Sequence, residues 1–235
     1  MTPEKRIPEL DIARGFCVLS MIAVHFIYDL TEVYFLLPPP NRVFLFVKNQ
    51  GGILFFLLSG ISATLGHRCV KRGSIVLACA ALVSIATALA GAPVRFGVLH
   101  CLGFCMVLWM LFRKFPTPAL LFFGILFLLA GAAFRRIRIC APFLYPLGLI
   151  RADFTSADFF PLFPYLGYFL SGAVLGRLLY PQRRSLLPRL SFHDPLSRFF
   201  RFCGRQALPL YLLHQPVLLF AIEAAYYFGG NFYES

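Results

Sequence analysis

Seven predominantly apolar stretches alternate with short polar or proline-rich breaks along the 235 residues. They cover roughly 10–36, 50–66, 74–92, 96–112, 117–134, 159–180 and 206–228. About twenty apolar residues in helical form cross a hydrocarbon core of about 30 Å, so each stretch predicts a membrane span. The first must stop at LLPPPN, because consecutive prolines force extended backbone. Segment 139–150 (ICAPFLYPLGLI) is apolar but short and carries two prolines, which predicts a re-entrant or interfacial piece. The stretch PQRRSLLPRLSFHDPLSRFFRF reads as a polar, basic loop. The predicted fold is an all-α polytopic membrane protein, a bundle of about seven transmembrane helices in one domain over 1–235.

The first span departs from a plain lipid-facing helix, since it carries Asp11, Arg14, His25 and Asp29. At about 100° per residue, Arg14 and His25 fall within ~20° of each other, and Asp11 and Asp29 within ~40° of His25. A rise of 1.5 Å per residue separates Arg14 from His25 by about 16 Å. With Arg14 at one surface, His25 lies near the membrane midplane. Ionisable groups at that depth cost a few kcal/mol each and normally face a cavity or a partner. A structural network explains such a stripe less well than a polar cavity, because it does not require charges at three depths on one face.

A composition 59% hydrophobic excludes an ordinary soluble domain. The net charge of +12 sits between the apolar runs, which marks membrane topology and argues against nucleic acid as a partner. With seven spans, one side holds fifteen basic residues and the other seven, which predicts a cytoplasmic N-terminus and the C-terminus opposite. The cluster Arg135–Arg138 falls on the poorer side and fits this count least well. The first span is too long and too charged for a cleavable signal. The seven cysteines include no C-x-x-C pair, and most lie in apolar runs, so free thiols and no metal site are expected.

His25, His100 and His214 lie in or near spans, which is more than packing alone ordinarily recruits. A neutral imidazole accepts a proton near pH 7 and releases it later, and Asp29, one turn from His25, is placed to orient its ring. Tyr211 and His214, three apart, share a face of the last span. Arg14 and Arg205 at the cytoplasmic ends form a cationic mouth suited to phosphate, with an interfacial anchor as the plainer account of Arg205. Asp158 precedes a span, where it equally favours a helix N-terminus. Phosphate-binding loops, G-x-S-x-G elbows and dinucleotide turns are not found in the sequence.

The segment LDIARGF…MIAVHFIYDL, with ten residues between Arg14 and His25, resembles the first helix of the transmembrane acyltransferases, whose acyltransferase family 3 shares this R-x10-H pattern. FFLLSGIS, RFGVLHCLG, DFFPLFPYLGYFLSGAVLG and GRQALPLYLLHQPV are more similar to bacterial relatives of the heparan-α-glucosaminide N-acetyltransferase catalytic domain, over about Ile7 to Leu219. The resemblance implies an enzyme of the bacterial inner membrane that moves an acetyl group from cytoplasmic acetyl-CoA to an amine or hydroxyl of a carbohydrate or envelope acceptor. Under it, Arg14 and Arg205 take the CoA phosphates and His25 acts as base with Asp29. His100, Asp158, Tyr211 and His214 serve the acceptor or the oxyanion. Direct transfer and an acetyl-histidine relay both stay open, and so does homodimerisation. The chain departs from the lysosomal enzyme in carrying histidine, not asparagine, at position 25 and histidine, not glutamine, at position 100. It is also shorter than those enzymes. The competing reading is a proton-coupled transporter or channel built on His25 and Asp29, although no internal repeat supports it. A non-catalytic scaffold leaves the stripe unexplained.

Overall fold

The computed structural model describes residues 7–38, 41–137, 141–188, 192 and 194–230. Cys140, His193 and the start of segment 139–150 lie outside them. The described chain is helical: α1 (Pro8–Tyr28), a π-helical turn (Asp29–Val33), α2 (Arg42–Leu65), α3 (Cys69–Leu89), α4 (Val98–Phe112) and α5 (Thr117–Phe134) come first. A 3-10 helix (Pro142–Leu147), α6 (Leu162–Leu179), α7 (Pro195–Arg205) and α8 (Ala207–Gly230) follow. Among the described residues, five helical stretches are long and apolar enough to cross a membrane: α1 with its π turn, α3, α5, α6 and α8. The apolar parts of α2 and α4 are shorter, at Gln50–Leu65 and Val98–Phe112. The chain is thus a polytopic helical membrane protein, with two of its seven expected spans shorter than a bilayer ordinarily demands.

Two compact units divide it: residues 1–10 with 52–190, and residues 11–51 with 191–235. In the first unit α4 is the central helix. Its residues Val98, Leu99, Cys101, Leu102, Cys105 and Trp109 are buried against neighbours that include α3 and α6. Burial by other helices explains its length, about 22 Å at 1.5 Å per residue, since it need not match the bilayer by itself. Cys101 and Cys105 are fully buried and behave as small hydrophobes. All six described cysteines are free thiols. Helices α2 and α6 meet backbone to backbone: a Cβ on Gly60 would strike the Phe169 carbonyl, and one on Gly172 the Leu57 carbonyl. That is the close approach small residues give in membranes. Outward stripes such as Leu82, Ile85 and Leu89 on α3, or Phe122, Ile125 and Leu129 on α5, are exposed and suited to lipid. The expected re-entrant segment contributes only the six-residue 3-10 helix, packed on α6.

The second unit corrects the basic loop. Residues Pro195–Arg205 form a helix, capped by Asp194, whose carboxylate accepts from Ser197 N at 2.8 Å, with Pro195 in the first turn. Leu196, Phe199, Phe200, Phe202 and Cys203 fill one sector of the helix, and Arg198, Arg201 and Arg205 another. Composition hid this periodicity, because frequent arginine lowers the mean hydropathy that a span search weighs.

Helix α8 runs parallel to α1 and its π turn within this unit, whereas α7 crosses α1 in the other sense, with Phe200 over Gly15 and Gly204 over Asp11. Asp11 meets Arg205, His25 meets His214, Asp29 meets Gln215 and Tyr34 meets Glu223, so both partners advance together. Two parallel spans cross in the same direction, which requires an odd number of crossings from α1 through α8. Reporter fusions after Pro3 and at Ser235 should therefore report opposite sides of the membrane, with the N-terminal fusion cytoplasmic. Both fusions on one side would break the seven-crossing topology.

Candidate functional site

The seam between α1 and α7–α8 is built from two backbone contacts and four polar rungs. A Cβ on Gly15 would strike the Phe200 carbonyl, and one on Gly204 the Asp11 carbonyl. Only glycine lets α1 and α7 come this close. The contact delivers Arg205 to Asp11, which is 5% exposed. Asp11 Oδ1 accepts from Arg14 Nη1 at 3.0 Å and Oδ2 from Arg205 Nε at 3.3 Å. One carboxylate therefore organises both arginines of the expected cationic mouth.

Further along, the rings of His25 and His214 meet edge to face, with centroids 4.9 Å apart. His214 Nδ1 lies 2.6 Å from the Tyr211 carbonyl. A carbonyl only accepts, so Nδ1 carries the proton and the neutral ring leaves Nε2 as a lone pair. Nε2 is buried without a partner. In that tautomer it accepts a proton and cannot donate to an oxyanion, the other role weighed for His214.

Asp29 is 2% exposed, and both of its oxygens accept from Gln215 Nε2, at 3.0 and 2.9 Å. An acid that only accepts fixes the amide orientation, which leaves Gln215 Oε1 buried and without a partner. The π turn begins at this acid: Tyr34 N donates to Asp29 O at 2.9 Å, and Thr31 Oγ1 donates to the carbonyls of Ile27 and Tyr28. Single π turns inside α-helices recur at functional sites. Pro216 lies inside the facing helix α8, directly after Gln215, where it supplies no backbone N–H. Beyond the turn, Tyr34 Oη donates to Glu223 at 2.8 Å.

His25, Asp29, Arg14, Arg205, Tyr211 and His214 thus belong to one unit. His100 and Asp158 belong to the other. His100 Nε2 lies 3.3 Å from Ser84 Oγ, whose proton goes to the Val94 carbonyl, so the imidazole donates there. Asp158 Oδ2 accepts from Val98 N at 3.0 Å and caps the first turn of α4, not of α6. Desolvation pushes its carboxyl above the usual range, against the backbone N–H groups of Val98 and Phe159. No group of three His, Cys, Asp or Glu among the described residues is arranged to hold a metal ion. Gln215 and Glu223 escaped the sequence reading, although Gln215 follows His214 directly and a buried Asp29 demands a donor.

A helical bundle with a seam graded from a cationic end to a half-buried histidine pair defines a multi-pass membrane protein with an internal polar site. The family model described as heparan-alpha-glucosaminide N-acetyltransferase, catalytic, matches residues 6–216. The chain belongs to that family, which makes it a transferase of the membrane acetyltransferase kind. No curated protein and no solved structure matches it.

Two outcomes follow from the carboxylates. Gln215→Leu strips Asp29 of the Gln215 amide donor and should destabilise the protein by about 1–3 kcal/mol or more, the cost of a buried acceptor left unpaired. Adding Asp29→Leu should recover part of that loss in chemical unfolding, and an additive double variant would contradict the pairing. Asp158 has a raised folded-state pKa, so its contribution is fully present below about pH 4 and declines as pH rises through the folded value. Asp158→Asn keeps an acceptor for Val98 N and should flatten that decline in thermal unfolding, whereas Asp158→Ala should lose about 1 kcal/mol of capping.

Proposed function

We propose that the chain transfers an acetyl group from cytoplasmic acetyl-CoA to a primary amine of a carbohydrate or envelope acceptor, in a bacterial inner membrane with the N-terminus cytoplasmic. The reading rests above all on one observation. Along a single seam, two arginines share one carboxylate at one end, and two histidine rings touch about 16 Å further on. A donor with phosphates at one end and a thioester at the other suits such a gradient. Arg14 and Arg205 hold the phosphates. His25, near the midplane, is the general base.

In the proposed step the amine nitrogen attacks the thioester carbonyl while His25 takes its proton. The C–N bond forms, the C–S bond breaks, and the proton passes to the departing thiolate to give CoA. His214 presents a second proton acceptor beside His25, and Asp29 with Gln215 holds α8 in register behind them. The open acceptors His214 Nε2 and Gln215 Oε1 favour an acceptor rich in N–H donors. An amine brings two N–H groups where a hydroxyl brings one O–H. The family's name, an N-acetyltransferase of a glucosaminide, agrees with an amine. His100, Asp158 and Tyr211 are proposed to serve the acceptor.

His25→Gln should leave folding and CoA binding intact while lowering acetyl transfer by roughly 10²–10⁴. Asp29→Asn should cost less. Transfer by the intact protein should fall on acidification, because a protonated imidazole cannot act as base. A His25→Gln protein that transfers acetyl at the normal rate would remove His25 from the chemistry.

A further inference from the structure

Arg201 stands one turn before Arg205 on α7, on the same face. Its Nη1 donates to the Phe192 carbonyl at 3.2 Å, while its Nε–H is buried with no partner. An arginine is permanently charged and only donates, so a buried open N–H on it is expensive until an anion answers it. Arg205 uses Nε on Asp11, which leaves its terminal Nη groups for another acceptor. The last turns of α7 and the facing turn of α1 thus carry three guanidinium groups, Arg14, Arg201 and Arg205, around the carboxylate of Asp11. The forked donors of Arg201 and Arg205 match phosphate oxygens.

We propose that Arg201 and Arg205 form a two-arginine clamp on a phosphate group, that of the nucleotide end of the acyl donor, with Arg201 Nε supplying a buried donor. The assignment rests on the acetyl-CoA reading given above. A phospholipid headgroup offers the same chemistry, so the test separates the two sources.

The purified full chain in neutral detergent is titrated with CoA and with pantetheine, which lacks the nucleotide and its phosphates. Its thermal stability is then followed with phosphatidylglycerol or phosphatidylcholine vesicles. Wild type should prefer CoA, and Arg201→Gln should reduce that preference about tenfold or more. Arg201→Lys should restore it only in part, because an ammonium lacks the fork. Arg198→Gln, exposed on the same helix, should leave it unchanged. If Arg201→Gln does not fold, the Lys variant carries the test, and an undiminished preference overturns the clamp. Equal weakening of CoA and pantetheine would make Arg201 merely structural and overturn it too. Loss of a phosphatidylglycerol response with the CoA preference intact would assign the site to lipid instead. A wild-type protein that binds no CoA would overturn the donor reading itself, whatever the Arg201 variants do.

Discussion

The carboxylate of Asp11 is the constraint on which the seam depends. It is buried, and burial of a lone charge at a helix end costs several kcal/mol before partners are counted. Arg14, one turn away, supplies one partner from the same helix, while Arg205 must come from another. The second can arrive only because Gly15 and Gly204 remove the side chains that would hold α1 and α7 apart. Backbone proximity and charge compensation are therefore one device. A larger residue at either glycine would push Arg205 away from Asp11 and shift everything further along α8.

From that anchor the polar pairs follow in order. The two histidine rings meet, then Gln215 closes on Asp29, then Tyr34 on Glu223. Each pair lets one more polar group stay inside an apolar helix. The exceptions carry the functional interest. Arg201 Nε, His214 Nε2 and Gln215 Oε1 are buried without a partner. One is a donor and two are acceptors, and they sit on α7 and α8, so the two ends of the seam ask for ligand groups of opposite character.

Much of this was legible in the sequence because hydropathy and periodicity act locally. The span over 117–134 coincides with α5, and the shared face of Arg14, His25 and Asp29 emerged from a turn of 100° per residue. The family resemblance agrees with the match over residues 6–216. What stayed hidden needed knowledge of partners. The α7 helix announced itself only through three- and four-residue spacing and the Asp194–Pro195 start, which average hydropathy suppresses. Gln215 has no charge to draw notice, and its role exists only because Asp29 lies opposite. Asp158 precedes α6 in sequence yet caps α4, a long-range pairing that no window along the chain contains.

The parallel seam also has a consequence in time. The residues it joins are about 190 positions apart in the chain, Asp11 from Arg205 and His25 from His214. At a synthesis rate of about 5–20 residues per second, α1 waits roughly 10–40 s for its partner to be made. Through that interval His25 and Asp29 have no α8 to meet, inside a helix otherwise fit for lipid. Insertion machinery or membrane chaperones that hold polar helices would have their best opportunity then. A ribosome that stalls before α7 would release a chain whose first span displays a buried acid and an imidazole to the bilayer, a mark by which a membrane protease could tell unfinished molecules from finished ones.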